Sequence, residues 1–494
     1  MIRRVDARLS RWSFALVSLG YGLAAVAGEA SLLPSSADAR YHAAGQLVAS
    51  SHCTASLVAG SATPDPDRSA LLLTSAHCVL DDAFVDGANE VQVDTPAGEG
   101  WRFTPGYFQD NQANHRAFDV RRVRYAKMKG VDMAVVELDA TYGDLAAAGV
   151  QPLVAASPHI VGDLPIELVH VPVDGVAEDD QFLRLSTCEA GEPLRLFEGP
   201  RFWTQASRTD CAGVAGGSSG SAALRAGTSE VVGVMGTKVD ARFAGCGVHR
   251  PCELTERAPV SREGASYLSL VAPFMAAFRA DGSWDGTALD PGDGVKLGRV
   301  VPQFTRGDIP GEDGAMPAPW GVIVDDYTRW VRYKQGDAAS IDCADPQGYS
   351  VPVYAADRPW EAQPLERAEG AYALCVLGQK GIDNDWQAPE HASVLLRVID
   401  DTPPSVAPEV DIREESADTW TVQLVAGYQP PYLLKVGRLG ATDCGDDQKY
   451  RSVASPFIVL PKAKAPFRVC VKAMDQAGNV SPAGSRDFEA PVAE

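Results

Sequence analysis

Gly216-Gly217-Ser218-Ser219-Gly220-Ser221-Ala222 decides how this chain is read, together with two stretches upstream. These are Thr74-Ser75-Ala76-His77-Cys78, after the apolar Leu71-Leu72-Leu73, and Asp132-Met133-Ala134-Val135-Val136. Each is weak alone. A glycine–serine run reads as a flexible linker, a histidine beside a cysteine as a packed side chain, and an aspartate before an apolar run as a strand-edge acid. In the order His, Asp, Ser they supply the three groups that nucleophilic attack on a carbonyl needs. A serine hydroxyl is a poor nucleophile until a base takes its proton. An imidazole can take it near neutral pH, and a carboxylate holds that imidazole in the right tautomer. The apolar run Val231 to Met235, soon after Ser221, argues against the linker reading.

In this order the segments resemble the chymotrypsin-like (trypsin-like) serine endopeptidases. TSAHC is similar to that family's catalytic-histidine motif, and Cys53-Thr54-Ala55-Ser56-Leu57 to the strand whose cysteine bridges to it. DMAVV resembles the catalytic-aspartate strand, GGSSGSA the G-x-S-G nucleophile turn, and Val232-Gly233-Val234-Met235-Gly236 the strand lining the specificity pocket. The resemblance covers about residues 41–280. It implies an all-β fold with a two-barrel protease domain, His77 and Asp132 coming from one barrel and Ser219 from the other. It also implies a serine endopeptidase acting on polypeptides through an acyl-enzyme, with the triad His77, Asp132 and Ser219. The backbone N–H groups of Gly217 and Ser219 would form the oxyanion hole. No cofactor and no metal is called for.

Two departures stand out. Ser218 occupies the position where digestive members carry an aspartate that pairs with a newly cut N-terminus, which puts that activation route in doubt. GSSGS looks nearest to the bacterial glutamyl-endopeptidase-like branch, yet Met235 stands where that branch places a specificity histidine. An apolar substrate pocket lined by Val214, Met235, Gly236 and Thr237 is expected, with Asp210 too far along the chain from Ser219 to select a basic side chain. GGSSGS also reads as G-x-S-x-G centred on Ser218, the α/β-hydrolase elbow. That fold needs its acid and then its histidine after the serine, and only His249 and His391 follow.

Charge and cysteines bound the setting. Lys and Arg number 44 against 65 Asp and Glu, a net charge of −21 in 494 residues. A duplex nucleic-acid binder needs cations to neutralise phosphates, so nucleic acid is excluded as a partner. Arg3, Arg4, Arg8 and Arg11 precede an uncharged stretch from Trp12 to Gly28, with Ala25-Val26-Ala27 as a small-x-small cleavage site. This reads as a signal peptide over residues 1–27 and a secreted or periplasmic protein. An uncleaved anchor is the alternative, but the apolar part is short for a span of ~20 residues. Leu145 to Gly162 is uncharged but contains Pro152, Pro158 and His159, so no integral membrane segment is expected after signal cleavage. The ten cysteines are even in number and without C-x-x-C, as in exported disulfide proteins. Joining nearest neighbours, the simplest connectivity, gives Cys53–Cys78, Cys188–Cys211, Cys246–Cys252, Cys343–Cys375 and Cys444–Cys470.

The expected organisation is a propeptide or flexible N-terminus over 28–40, the protease domain over 41–282 and a Gly-, Asp- and Pro-rich linker over 283–311. Tyr267 to Phe278 has helical spacing and is expected as a helix closing the protease domain. Two repeats follow, 312–402 and 403–494. Lys334 precedes Cys343 by nine residues and Lys435 precedes Cys444 by nine; Tyr372 and Phe467 each stand three before Cys375 and Cys470; Val376 and Val471 follow those cysteines, and Asn384 and Asn479 lie nine beyond. Their size and alternating strands predict β-sandwich modules similar to immunoglobulin or fibronectin repeats. Trp360, Trp386, Tyr428 and Tyr432 offer a surface or polymer contact, against a core role as the commoner alternative. Asp81-Asp82 and Asp383-Asn384-Asp385 read as solvated loops rather than Ca²⁺ sites. A second function of another class stays open: an exported adhesin-like surface-binding protein with an inactive protease-like head.

Overall fold

The structure, a computed structural model, describes residues 30–489 except 81–86, 156–159, 161, 241, 243, 257, 312–313, 326 and 381–384. The expected signal peptide, Asp81-Asp82, Pro158, His159 and Asp383-Asn384 lie outside the described residues.

Two closed barrels of six antiparallel strands form the head. The first contains β1 (Ala44–Val48), β2 (His52–Ala59), β3 (Ser69–Thr74), β4 (Arg102–Pro105), β5 (Phe118–Lys127) and β6 (Met133–Thr141). Its ring runs β2-β1-β4-β5-β6-β3 and closes where β3 pairs back onto β2, Leu57 opposite Leu72. The second contains β7 (Leu164–His170), β8 (Arg184–Glu198), β9 (Arg201–Thr209), β10 (Ala222–Arg225), β11 (Glu230–Lys238) and β12 (Ser266–Leu270). Its ring runs β7-β8-β9-β12-β11-β10 and closes with β10 on β7. Leu153–Ala155 pairs in parallel with both β2 and β11 and stitches the barrels together. Closure leaves neither barrel a raw edge. The fold is all-β, with the two barrels that the sequence led us to expect.

The helix expected over Tyr267–Phe278 is absent. Its first half is β12, and its second half is the short 3₁₀ turn Ala272–Ala277. All five residues of β12 are buried. A strand covered on both faces loses the period-two signature, and Pro273 at the start of the turn suits a first-turn position.

Two β modules follow the head. In the first, Phe304–Thr305, Ser393–Ile399, Gly370–Lys380, Trp330–Asp337 and Val353–Tyr354 lie side by side. They enclose a core with Trp320 and Val322, the latter on a small second sheet that pairs Leu297–Arg299 with Val322–Val324. In the second module, Glu409–Glu415, Thr419–Val425 and Phe457–Pro461 form one sheet. Arg451–Val453, Tyr432–Arg438, Phe467–Ala473 and Gly484–Phe488 form the other, and Trp420, Val422 and Val469 are among the residues packed between them. Trp360 and Tyr432 are core, at 0% and 2% exposure. Trp386 and Tyr428 are half-buried, the former under the Arg332 guanidinium.

The repeat has a structural meaning. Lys334 Nζ donates to the carbonyls of Asp345 (2.6 Å) and Gln347 (3.1 Å), and Lys435 Nζ to those of Asp443 and Asp446 (both 2.8 Å). Each ammonium also lies over a tyrosine, Tyr349 or Tyr450, whose hydroxyl donates to the carbonyl of Cys343 or Cys444. The lysine pins the loop that carries the first cysteine, and in register it sits opposite the second, Cys375 or Cys470.

Residues 283–311 are not a free tether. Asp290, Val295 and Phe304 are buried, and the strands around Gly298 and Phe304 belong to the first module. The aspartates that made the stretch look like a linker cap its turns: Asp285 accepts from the Thr287 N–H and Asp290 from the Gly292 N–H.

Candidate active site

His77 lies in the 3₁₀ turn Ala76–Cys78 that directly follows β3, and the Cys53–Cys78 disulfide ties this turn to β2. Asp132 immediately precedes β6 and is 1% exposed. Its backbone N–H donates to Ser269 Oγ on β12, so the second barrel buttresses it. The His77 ring Nδ1 is 2.6 Å from Asp132 Oδ2, and the His77 backbone N–H donates to Oδ1 at 3.1 Å. Burial pushes the Asp132 carboxyl up. The His77 charge, the hydrogen bonds from His77 and the buried Arg201 guanidinium outweigh that and hold it below the usual carboxylate range. The acid is thus poised as a carboxylate that orients an imidazole.

Ser219 sits on the turn leading into β10. Its carbonyl accepts from the Thr54 N–H of β2 at 2.8 Å, and the next N–H, of Gly220, donates to Met235 O at 2.8 Å. Gly217 and Gly220 flank the serines at φ +94° and +84°. A Cβ on Gly217 would stand 2.6 Å from Val173 Cγ2 and 2.7 Å from Val171 O; one on Gly220 would meet Thr54 O at 2.1 Å. Only glycine fits either place. The carbonyl of Gly216 accepts from the N–H groups of Val173 and Asp174. In a trans peptide the C=O and N–H point opposite ways, so the Gly217 N–H is turned away from that segment.

His77, Asp132 and Ser219 line one cleft of about 780 Å³ between the barrels. The structure therefore brings the three sequence-predicted side chains together. Val214, Met235, Gly236 and Thr237 also line the cleft. Charged side chains share the cleft with these residues. Met235 is 1% exposed and packs mainly in the second barrel's core. Asp210, Lys238 and Asp240 share the wall, and Lys238 Nζ donates to Val214 O at 2.7 Å. Asp210, distant from Ser219 in sequence, lines the same cleft.

Sequence reading missed two groups beside the triad. Arg201, at 1% exposure, opens β9 opposite Glu198 and lines the cleft. His170, at the end of β7, contacts Ser218. An arginine or histidine at the end of a largely apolar strand is the available signal, and it names no partner. The five nearest-neighbour cysteine pairs are the five disulfides. Cys53, His77 and Cys78 cluster closely enough to suggest a metal centre. Both sulfurs are spent in a disulfide, however, and metal ligation needs thiolates.

No protein-family model matches the chain, and no curated protein matches it. Among solved structures, it is similar to human heparin binding protein at 12% identity and TM-score 0.31, over 50% of this chain and 92% of that one. It is also similar to the thermostable serine protease AL20 from an extremophilic microorganism, at 14% identity and TM-score 0.30, over 47% of this chain and 93% of that one. Likeness at this level carries no functional argument.

Proposed function

We propose that this chain is an exported serine endopeptidase that cleaves polypeptides through an acyl-enzyme. The observation that carries the reading is the 2.6 Å His77–Asp132 pair in the same cleft as Ser219. In this reading His77 takes the Ser219 proton as the hydroxyl oxygen attacks the scissile carbonyl. Asp132 stabilises the imidazolium so formed, and the N–H groups of Gly217 and Ser219 receive the oxyanion. The same imidazolium then protonates the leaving amine. Water, deprotonated by His77, releases the acid product and restores the serine. Five disulfides fit an oxidising compartment and support export.

The test is intact-mass measurement after exposure to a fluorophosphonate. A single adduct on the parent, mapped to Ser219 and missing from Ser219→Ala, is the expected result. A folded parent that takes no adduct and cleaves no peptide would favour the inactive-head reading instead.

A further inference from the structure

His170 is fully buried, and its ring bridges two buried hydroxyls. Nδ1 is 2.8 Å from Ser218 Oγ, and Nε2 is 3.1 Å from Ser186 Oγ. The directions of these bonds can be worked out. Ser186 Oγ donates its one proton to Ala212 O at 2.6 Å, so it must accept from His170 Nε2–H. A neutral imidazole has no second proton, so Nδ1 accepts and Ser218 donates to it. Ser218 Oγ still accepts from the Ala215 N–H at 3.2 Å. One directional chain therefore runs from Ala215 through Ser218, His170 and Ser186 to Ala212. It closes residues 212–218 into a loop, and that loop is both the cleft wall and the approach to Ser219. Burial, reinforced by the charge of Arg184, pushes the His170 ring far below its ordinary pKa, as a neutral bridge requires.

We propose that His170 is a positioning residue: through Ser218 it holds the Gly217–Ser219 turn in its reactive shape with a neutral hydrogen-bond chain in place of a charged pair. The inference deepens the endopeptidase reading and rests on it for its kinetic readout. It accounts for Ser218, since a hydroxyl already held on both sides has no use for an ammonium partner.

Three full-length variants test it. Ser218→Ala breaks the chain with little change of volume. His170→Met keeps bulk and loses both bonds. His170→Gln can still accept from Ser218 and donate to Ser186. Rates are normalised to the sites titrated by the fluorophosphonate, so that a loss of folded protein does not count. Expected is a fall in kcat of about 10-fold to 100-fold for Ser218→Ala and His170→Met, short of the ~10²–10³ lost when an oxyanion donor is deleted. KM should stay within about twofold, and His170→Gln should recover most of the rate. Unchanged kcat per titrated site in Ser218→Ala, with only a lower melting temperature, would overturn the proposal and make His170 a packing residue. If the parent neither labels nor cleaves, the endopeptidase reading fails separately. Amide hydrogen exchange across 215–221 then decides: about tenfold faster exchange in Ser218→Ala and His170→Met supports the anchor, and unchanged exchange refutes it.

Discussion

Gly217 combines two constraints that no other residue type meets at once. Its φ of +94° disfavours any side chain, and the space beside it is filled by Val171 and Val173. In the proposed mechanism, Gly217→Ala should therefore swing the peptide whose N–H would receive the oxyanion. Steady-state kinetics on a peptide substrate should show kcat down ~10²–10³-fold with a smaller change in KM. His170 makes a second prediction at this scale, in stability against pH. Its folded pKa is pushed down to about 3 by burial and the Arg184 charge, against an ordinary value of 6.5. The unfolded chain therefore takes up a proton that the folded chain refuses. Stability is untouched above pH 6.5 and falls as pH drops from there toward 3, by about 1.4 kcal/mol per pH unit from this group. Urea midpoints at pH 7 and pH 5 should separate by more in the parent than in His170→Gln. The sequence marked Ser218 as unusual but did not give its partner, because His170 lies 48 residues upstream and only barrel closure brings it near.

Strands carry these residues to one place, and the legibility of each strand followed from its environment. β3, β6 and β11 announced themselves as compact apolar runs between turn residues; His77 follows β3, Asp132 precedes β6, and Ser219 sits on the turn into β10, which pairs with β11. β12 was misread because burial on both faces erased its alternation. The cysteine loops of the modules were legible as a repeat, but not the purpose of the repeated lysines, which depends on carbonyls gathered by the fold. β2 also makes a contact between the barrels. Thr54, fully buried, donates through Oγ1 to Gly217 O at 2.8 Å and accepts from the Val171 N–H at 3.0 Å. Thr54→Val keeps the shape and strands two buried backbone groups. The expected cost is about 1–3 kcal/mol, read by chemical denaturation, with Thr54→Ser retaining most of the stability. An equal loss in both variants would assign the effect to the missing methyl group and not to the hydroxyl.

At the scale of the whole molecule, the modules are fastened to the head. Phe197, Phe202 and Cys252 of the head share one apolar cluster with Phe304, Ala371, Leu396 and Val398 of the first module. Lys129 Nζ reaches Asp290 at 2.7 Å and His391 O at 2.8 Å, and the Asn89 amide pairs with both backbone groups of Val394. A chain ended at 282 would expose that cluster, so it should melt lower than the full chain or aggregate. The second module reaches elsewhere. Its Gly427 carbonyl accepts from the Ala244 N–H, Gln476 Nε2 donates to Cys246 O at 2.9 Å, and Arg250 reaches Gln429 at 3.3 Å. These contacts grip the disulfide-closed segment between β11 and β12. That segment is continuous with the cleft wall, where the Asp240 N–H donates to His249 O and both residues line the cleft. The proposed triad is carried by the barrels, and the residues lining its cleft lie in the head. A chain ended at 402 should therefore take the fluorophosphonate at close to the parental rate, while KM for extended peptides rises severalfold because the substrate-facing wall has lost its brace. An unchanged KM would mean that the Cys246–Cys252 disulfide holds the wall unaided, and a fall in labelling rate equal to the rise in KM would mean that the module supports the barrels as a whole.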